Sequence, residues 1–389
     1  MNAHANGSKG LIVGLLTLVA LGLLAVIWAS PIWWVSLTAP NFPPEAFPDG
    51  VRIHFHMNGV FNGCQQIAKT EIREDEALDC VHEMDIINHY VGMYPIAAGG
   101  VIERQFAPFL MTMLGVMLVG FAVPRPGLRM IVLAVGFAGL AGWMYLTFYG
   151  AEGLRLQNTG YITALSTALD QEAGQAEQQQ LTPAQALIAR LKAELEGTPD
   201  RDTTGPAARA SDKATVLSSL RTSFEQDQAR RPAAEREQWE GSGAQILAWH
   251  YGKTLGRYFN VPEQIQPMVA MMSTAAQVVF WLLIGAMLLL IWGARRNGGI
   301  FYWLLVLVPI ALPLFFLIDY SAWLWWYGHN LSDMGAFTVK PFMPTVFGDG
   351  KVAQFSTHSY PHIGFGLMLA TSAVLVVAAL IRRKQLKNV

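Results

Sequence analysis

The longest pattern along the chain is a set of apolar runs at 11–29, 106–123, 130–149, 271–293, 300–318 and 363–381. Each is close to the length of about 17–25 residues that lets a helix cross a hydrocarbon layer. The pattern predicts six membrane-spanning helices. The first run follows Lys9, as in a signal peptide. Its core is longer than an h-region of about 7–15 residues, and Trp28-Ala29-Ser30-Pro31 is a poor cleavage site, so it is read as a retained signal anchor.

Between the runs the period changes. VRIHFHM (51–57) alternates as a strand does, with Ile53, Phe55 and Met57 on one face and Arg52, His54 and His56 on the other. The proline-rich stretch SPIWWVSLTAPNFPPEAFPDG before it cannot be helical and is expected to lie along the membrane surface. A helix is predicted over 75–94, ended by Pro95 and Gly99-Gly100. Within 150–270, Thr182-Pro183-Ala184-Gln185 forms a capping box ahead of the stripe Leu187, Ile188, Leu191 and Leu195. A flexible linker is expected over 198–215, then an amphipathic helix with Val216, Leu217, Leu220 and Phe224, and a third over 242–259 with Leu247, His250, Leu255 and Phe259. Residues 319–362 read as a long aromatic loop.

The class implied is an all-α polytopic membrane protein with six transmembrane helices, a small outer strand and helix subdomain, and a helical outer insertion. Its parts are the signal-anchor helix 1–29, an outer His/Cys segment 30–105, helices two and three in 106–149, and the partly flexible insertion 150–270. Helices four and five follow in 271–318, then an outer aromatic and histidine loop 319–362, and the last helix with its basic tail in 363–389.

Composition agrees with that class: 14% of residues are charged and 52% hydrophobic, against about 25% charged in ordinary soluble proteins. The charges also orient the chain. Lys9, Arg125, Arg129, Arg295, Arg296, Arg382, Arg383, Lys384 and Lys387 lie in alternate short loops or tails, which the positive-inside rule assigns to the cytoplasm. Both termini are then cytoplasmic, the His/Cys segments face outward, and in a bacterial inner membrane that side is the oxidising periplasm.

The chain has nine histidines and two cysteines, and His54, His56, His82, His89, Cys64 and Cys80 all fall within 54–89. Alternate strand positions put His54 and His56 about 6–7 Å apart, close enough to share an ion. His82, Asp85 and His89 share one face of the predicted helix, although His82 and His89 are about 10 Å apart along its axis. Imidazoles with thioethers nearby (Met57, Met84, Met93) favour copper over zinc. The expected ligand set is His54, His56, His82 and His89, with Met57, Asp85 and Met93 secondary.

In an oxidising compartment Cys64 and Cys80 are expected to form a disulfide, worth about 3 kcal/mol for a loop of about 15 residues. The alternative is a pair of thiolate ligands for Cu(I). A possible second group is His329 (near Asp333 and Met334), His358 and His362, which stand equally well as interfacial anchors. His250, alone beside Trp249 and Tyr251, is expected to be a packing residue.

Other chemistries lack their marks. There is no Cys-x-x-Cys-His haem attachment, no histidine in the middle of a span for a b-type haem, no phosphate-binding glycine loop, no nucleophile elbow and no nucleic-acid patch. The spans carry almost no ionisable groups, with Glu103 and Asp319 only at their edges, which disfavours a transporter or pump. Pro309 and Pro313 are expected to kink the fifth helix.

The leading expectation is copper binding on the outer face, in copper handling or as an accessory subunit or assembly factor of a membrane copper or haem enzyme. Partners would be the lipid bilayer and another membrane or periplasmic protein docking on 150–270, with no nucleic acid. One alternative is a membrane redox enzyme with a His/Asp metal site walled by Trp325, Trp326, Tyr327 and Phe337. The other is a metal-free structural subunit.

Overall fold

A computed structural model of the chain describes residues 2–64, 79–166, 168–169, 206–336, 341–352 and 354–387. The chain divides into two compact units, one of residues 1–142 and 258–389, the other of residues 143–257.

In the first unit, helix α1 (Asn2–Ala29) leads directly into strand β1 (Trp33–Thr38), followed by β2 (Val51–His56), β3 (Gly59–Asn62) and helix α2 (Cys80–Val91). Helices α3 (Val101–Ala122) and α4 (Pro126–Tyr149) come next. In the second unit α5 spans Pro206–Ala229 and α6 spans Gly243–Leu255. The chain returns to the first unit with α7 (Pro262–Gly293), α8 (Ile300–Ile310), α9 (Leu312–His329), β4 (Gly348–Val352), β5 (Phe355–Pro361) and α10 (Ile363–Lys387).

Helices α1, α3, α4, α7 and α10 are each long and apolar enough to cross a membrane. The predicted fifth span is broken: α8 and α9 meet at 62°, and counting the pair as one span makes six. Pro313 explains the break, because it has no N–H to donate and its ring clashes with the carbonyl one turn back. Exposed Leu11, Leu15, Leu18, Val135, Leu282 and Leu288 are what helices facing lipid should show, since their apolar surroundings are acyl chains.

The strands form one antiparallel sheet in the order β3-β2-β1-β5-β4. This corrects two expectations. The stretch expected along the membrane surface supplies β1, the central strand, and the loop expected over 319–362 supplies β4 and β5. Trp33, Val35 and Leu37 are the buried apolar positions at alternate places on β1, a period-2 signal masked by the prolines beside it. β1 pairs on one side with β2, Trp34 opposite His54, and on the other with β5, Trp34 opposite Tyr360. Gly50 enters β2 with φ 69°, and a Cβ there would strike Ser36 Oγ and the Leu37 carbonyl.

The sheet is anchored where the helices end. The amide of His362 donates to the Ile32 carbonyl and that of Gly364 to Pro31. Trp33 packs its ring against Tyr320 and Phe365, and its Nε1 donates to the buried Ser359 hydroxyl at 2.9 Å. At the opposite end of the helices, Arg382 donates to the Ala122 carbonyl at 2.6 Å, and Arg129 to the Ala294 carbonyl at 3.0 Å and to Asn297. Cations therefore satisfy the open C-terminal carbonyls of α3 and α7. The α3–α4 turn, the α7–α8 turn and the tail of α10 thus share one end, as the alternation of basic loops requires.

The second unit has its own core, with Leu154, Tyr161, Ile162, Leu165, Leu220, Phe224, Ile246 and Trp249 all buried. Helix α5 carries the expected stripe but begins at Pro206, so 206–215 is helical and not linker. Asp227 ties α5 to α6, accepting from Trp249 Nε1 at 3.0 Å and pairing with Lys253 at 2.6 Å. His250 is buried with Nε2 3.0 Å from the Leu165 carbonyl, the packing role expected of it. The capping box at 182–185, its apolar stripe, residues 198–205 and Phe337 lie outside the described residues.

Candidate functional site

Strand alternation divides the sheet into two chemically different faces. One carries Val51 and Ile53, both 0% exposed, with Val35, Leu37 and Phe355, and it is covered by α2 and α9. The other carries Arg52, His54 and His56 on β2, Trp34 on β1, and His358 and Tyr360 on β5, with His362 continuing the alternation. On this second face the Arg52 guanidinium lies 4.3 Å over Trp34, Trp34 packs on Tyr360, and the His54 and His362 rings stand 5.1 Å apart.

The two-faced strand was legible in the sequence. Which face α2 would cover was not, and this separates the expected ligands. An amphipathic helix packs on apolar residues, so α2 lies against the face opposite His54 and His56. Cys64 and Cys80 are joined in a disulfide that pins the end of β3 to the start of α2. Asp79 caps α2, accepting from the amides of Val81 and His82. Gly92 closes it in the left-handed region at φ 97°.

On α2 each expected ligand has structural surroundings. Asp85 is 1% exposed and accepts the Ile96 amide at 2.8 Å, which fixes the turn after the helix. His89 lies between the rings of Tyr258 and Phe259, at 4.9 and 4.6 Å. Met93 is buried with Met84 in an apolar cavity under the sheet. His82 stands in the first turn of α2.

The second expected group is also divided. His329 stacks on Trp325 at 4.5 Å, with Nδ1 2.8 Å from that residue's carbonyl. His358 pairs with Asp349 at 2.6 Å. Only His362 joins the first group. Among the described residues, no three His, Cys, Asp or Glu side chains stand together as ready metal ligands.

The imidazoles of His54, His56 and His362 favour the neutral form. Burial, helped by His362, Arg52 and His56, lowers the His54 pKa to about 4. Burial and His362 lower that of His56, and burial and Arg52 lower that of His362. Neutral imidazole has a ring lone pair to offer, which is the form that ligates metals.

A second feature was not anticipated from the sequence. A cavity of about 90 Å³ lies at the end of the β2–β3 hairpin, lined by His56, Met57, Glu103, Arg104, Asp319 and Tyr327 among others. It has room for a few waters at about 30 Å³ each, but is well below the about 300–1,000 Å³ of small-molecule sites. The signal in the sequence was the pair of acids within otherwise apolar helices, a default mark of function in membrane segments. Pro361-His362 likewise continues the alternation of FSTHSYP, which could have placed His362 beside β2.

No family model matches the chain, and no curated protein or solved structure matches it.

Proposed function

We propose that this is an integral membrane protein that holds copper on the polar face of its sheet through His54, His56 and His362, in copper handling or in support of a membrane copper or haem enzyme. The observation that carries the reading is the His54–His362 ring separation of 5.1 Å, with His56 two positions along the same strand. Imidazole nitrogens at about 2.0–2.1 Å from one ion fit that spacing after small ring rotations. The neutral state of all three rings and the thioether of Met57 beside His56 favour a borderline or soft ion. The positive-inside rule supports reading the shared end of Arg125, Arg129, Arg295 and Arg382 as cytoplasmic, and in a bacterial inner membrane that reading makes the sheet periplasmic. The small volume of the neighbouring cavity favours binding over turnover of an organic substrate.

The test is copper content and affinity of the full chain in mild detergent, with paramagnetic resonance after oxidation. Wild type is expected to retain about one copper per chain. The His54→Ala/His362→Ala variant should lose it while keeping its helical content. Full retention in that variant overturns the assignment.

One set of observations favours a second reading, a metal-free structural subunit. His329 and His358 each have a hydrogen-bond partner that explains the residue without an ion, and His89 packs on the Phe259 ring. Absence of copper even after anaerobic loading would establish it.

A further inference from the structure

Two arginines are buried at the end of the helices opposite the sheet, Arg129 at 1% and Arg382 at 3% exposure. Their described partners are all neutral. Arg129 donates to the carbonyls of Val123, Pro124 and Ala294 and to Asn297, and Arg382 to those of Phe121 and Ala122 and to Gln385. Arg382 Nε is buried without an acceptor among the described residues. One aromatic stack joins the two cations: Arg129 lies 4.2 Å over Tyr302, Tyr302 stacks on Phe121 at 5.6 Å, and Arg382 lies 5.9 Å over Phe121. The sequence offers them no acid, for no Asp or Glu occurs in 1–44, 104–151, 264–318 or 350–389, the segments whose helices meet at this end.

Buried charge is costly unless compensated. The carbonyl ends of α3 and α7 supply about half a negative charge each, so the pair of guanidiniums keeps about one positive charge. Around it stands an exposed cationic rim. Arg125 is one helical turn before Arg129, and Arg295 and Arg296 precede the Asn297 that Arg129 holds at 2.6 Å. A Cβ on Gly298 would meet Leu386 at 3.9 Å, so this turn lies against the tail of α10. Beside the rim, Leu128, Trp292 and Ile300 are exposed apolar side chains.

We propose that this end binds an anionic phospholipid, its phosphodiester seated on the α7–α8 turn between Arg125, Arg295 and Arg296 and over the buried pair. Basic pockets between membrane helices are suited to such headgroups. A lipid fits better than a soluble phosphate because the cations adjoin an apolar flank that acyl chains can cover. The inference rests on the membrane reading and is independent of copper.

Thermal unfolding of the metal-free full chain in mild detergent, titrated with phosphatidylglycerol, phosphatidylcholine or inorganic phosphate, tests this. Phosphatidylglycerol alone should raise the midpoint, and its advantage should survive from about 0.15 M to about 1 M salt, since buried charges are screened little. Arg125→Gln/Arg295→Gln should raise the lipid concentration needed for half the shift by about fivefold per cation removed. Arg382→Lys should keep the salt-resistant preference and Arg382→Gln should lose it. Should the Arg382 variants fail to fold, the exposed Arg125/Arg295 pair carries the test, with Arg230→Gln/Lys351→Gln, which removes two exposed cations elsewhere, expected to behave as wild type. An equal shift from phosphatidylcholine, the same shift from inorganic phosphate alone, a preference abolished by salt, or an equal loss in the Arg230/Lys351 control overturns the proposal.

Discussion

Two sets of histidines lie on opposite faces of one sheet. His54, His56 and His362 share the face opposite the one α2 covers, with the His54 and His362 rings 5.1 Å apart. His82 and His89 belong to the helix that covers the other face, where His89 is held between two aromatic rings. In the sequence they form a single cluster. The sheet divides them because the same alternation that gives β2 an apolar face also decides which side α2 must take. Proximity along the chain, even with a disulfide joining the two elements, is therefore a weak guide to which donors meet.

The disulfide gives the largest expected effect. If Cys64–Cys80 serves only to pin α2 to β3, Cys64→Ser should lower unfolding stability by about 3 kcal/mol. Metal binding at His54 and His362 should be spared wherever the variant folds. Denaturant unfolding in detergent, paired with copper titration, reads both. Equal loss of stability and copper affinity would mean that the cysteines belong to the metal site after all, contrary to their place on the covered face.

Asp85 separates the faces differently. Its carboxylate accepts the Ile96 amide in a buried position, so Asp85→Ala strands that N–H and should cost about 1–3 kcal/mol. Copper affinity should be unchanged. An affinity loss beyond the stability change would restore the sequence-based role of Asp85 as a ligand.

The metal comparison itself comes next. His54→Ala/His362→Ala should weaken copper binding at least about tenfold, or about 1.4 kcal/mol. His82→Ala/His89→Ala should leave binding within error while destabilising the α2 packing. The reverse result would move the site to the covered face.

How much of this was legible follows from which interactions are local. The apolar runs and the alternation of VRIHFHM are encoded in contiguous residues, and both reappear as helices and as a two-faced strand. The insertion's stripe Leu220/Phe224 was equally readable and lies in its core, to which α6 contributes Ile246 and Trp249, while the predicted Leu247 and Leu255 are buried outside that cluster. What escaped depends on distant pairings. β1 is a strand because β2 and β5 flank it, and the prolines on either side of it hid that; the helical start at 206–215 was hidden by Gly, Thr and charge. Glu103 and Asp319 were noticed as edge acids, but nothing local says that α3 and α9 bring them to the wall of one cavity.

The smallest expected effect is a pH dependence, and it distinguishes the faces by cooperativity. His54 has its pKa lowered from 6.5 to about 4, so between those values the unfolded chain binds a proton that the folded chain resists. The stability this group contributes is thus complete above pH 6.5 and is lost as pH falls through about 4. His56 and His362 are lowered in the same direction, and because the rings act on one another, each proton taken up opposes the next. His89 is also lowered, but by burial alone, with no charged neighbour to compound it. Thermal unfolding of metal-free protein across that pH window should therefore lose most of its acid slope in a His54→Phe/His362→Phe variant and less in His89→Phe. Because these rings are partly exposed, solvent screening keeps the effect modest. Equal slopes in the two variants would show that the rings on the polar face titrate independently, removing the electrostatic argument that groups them as one site.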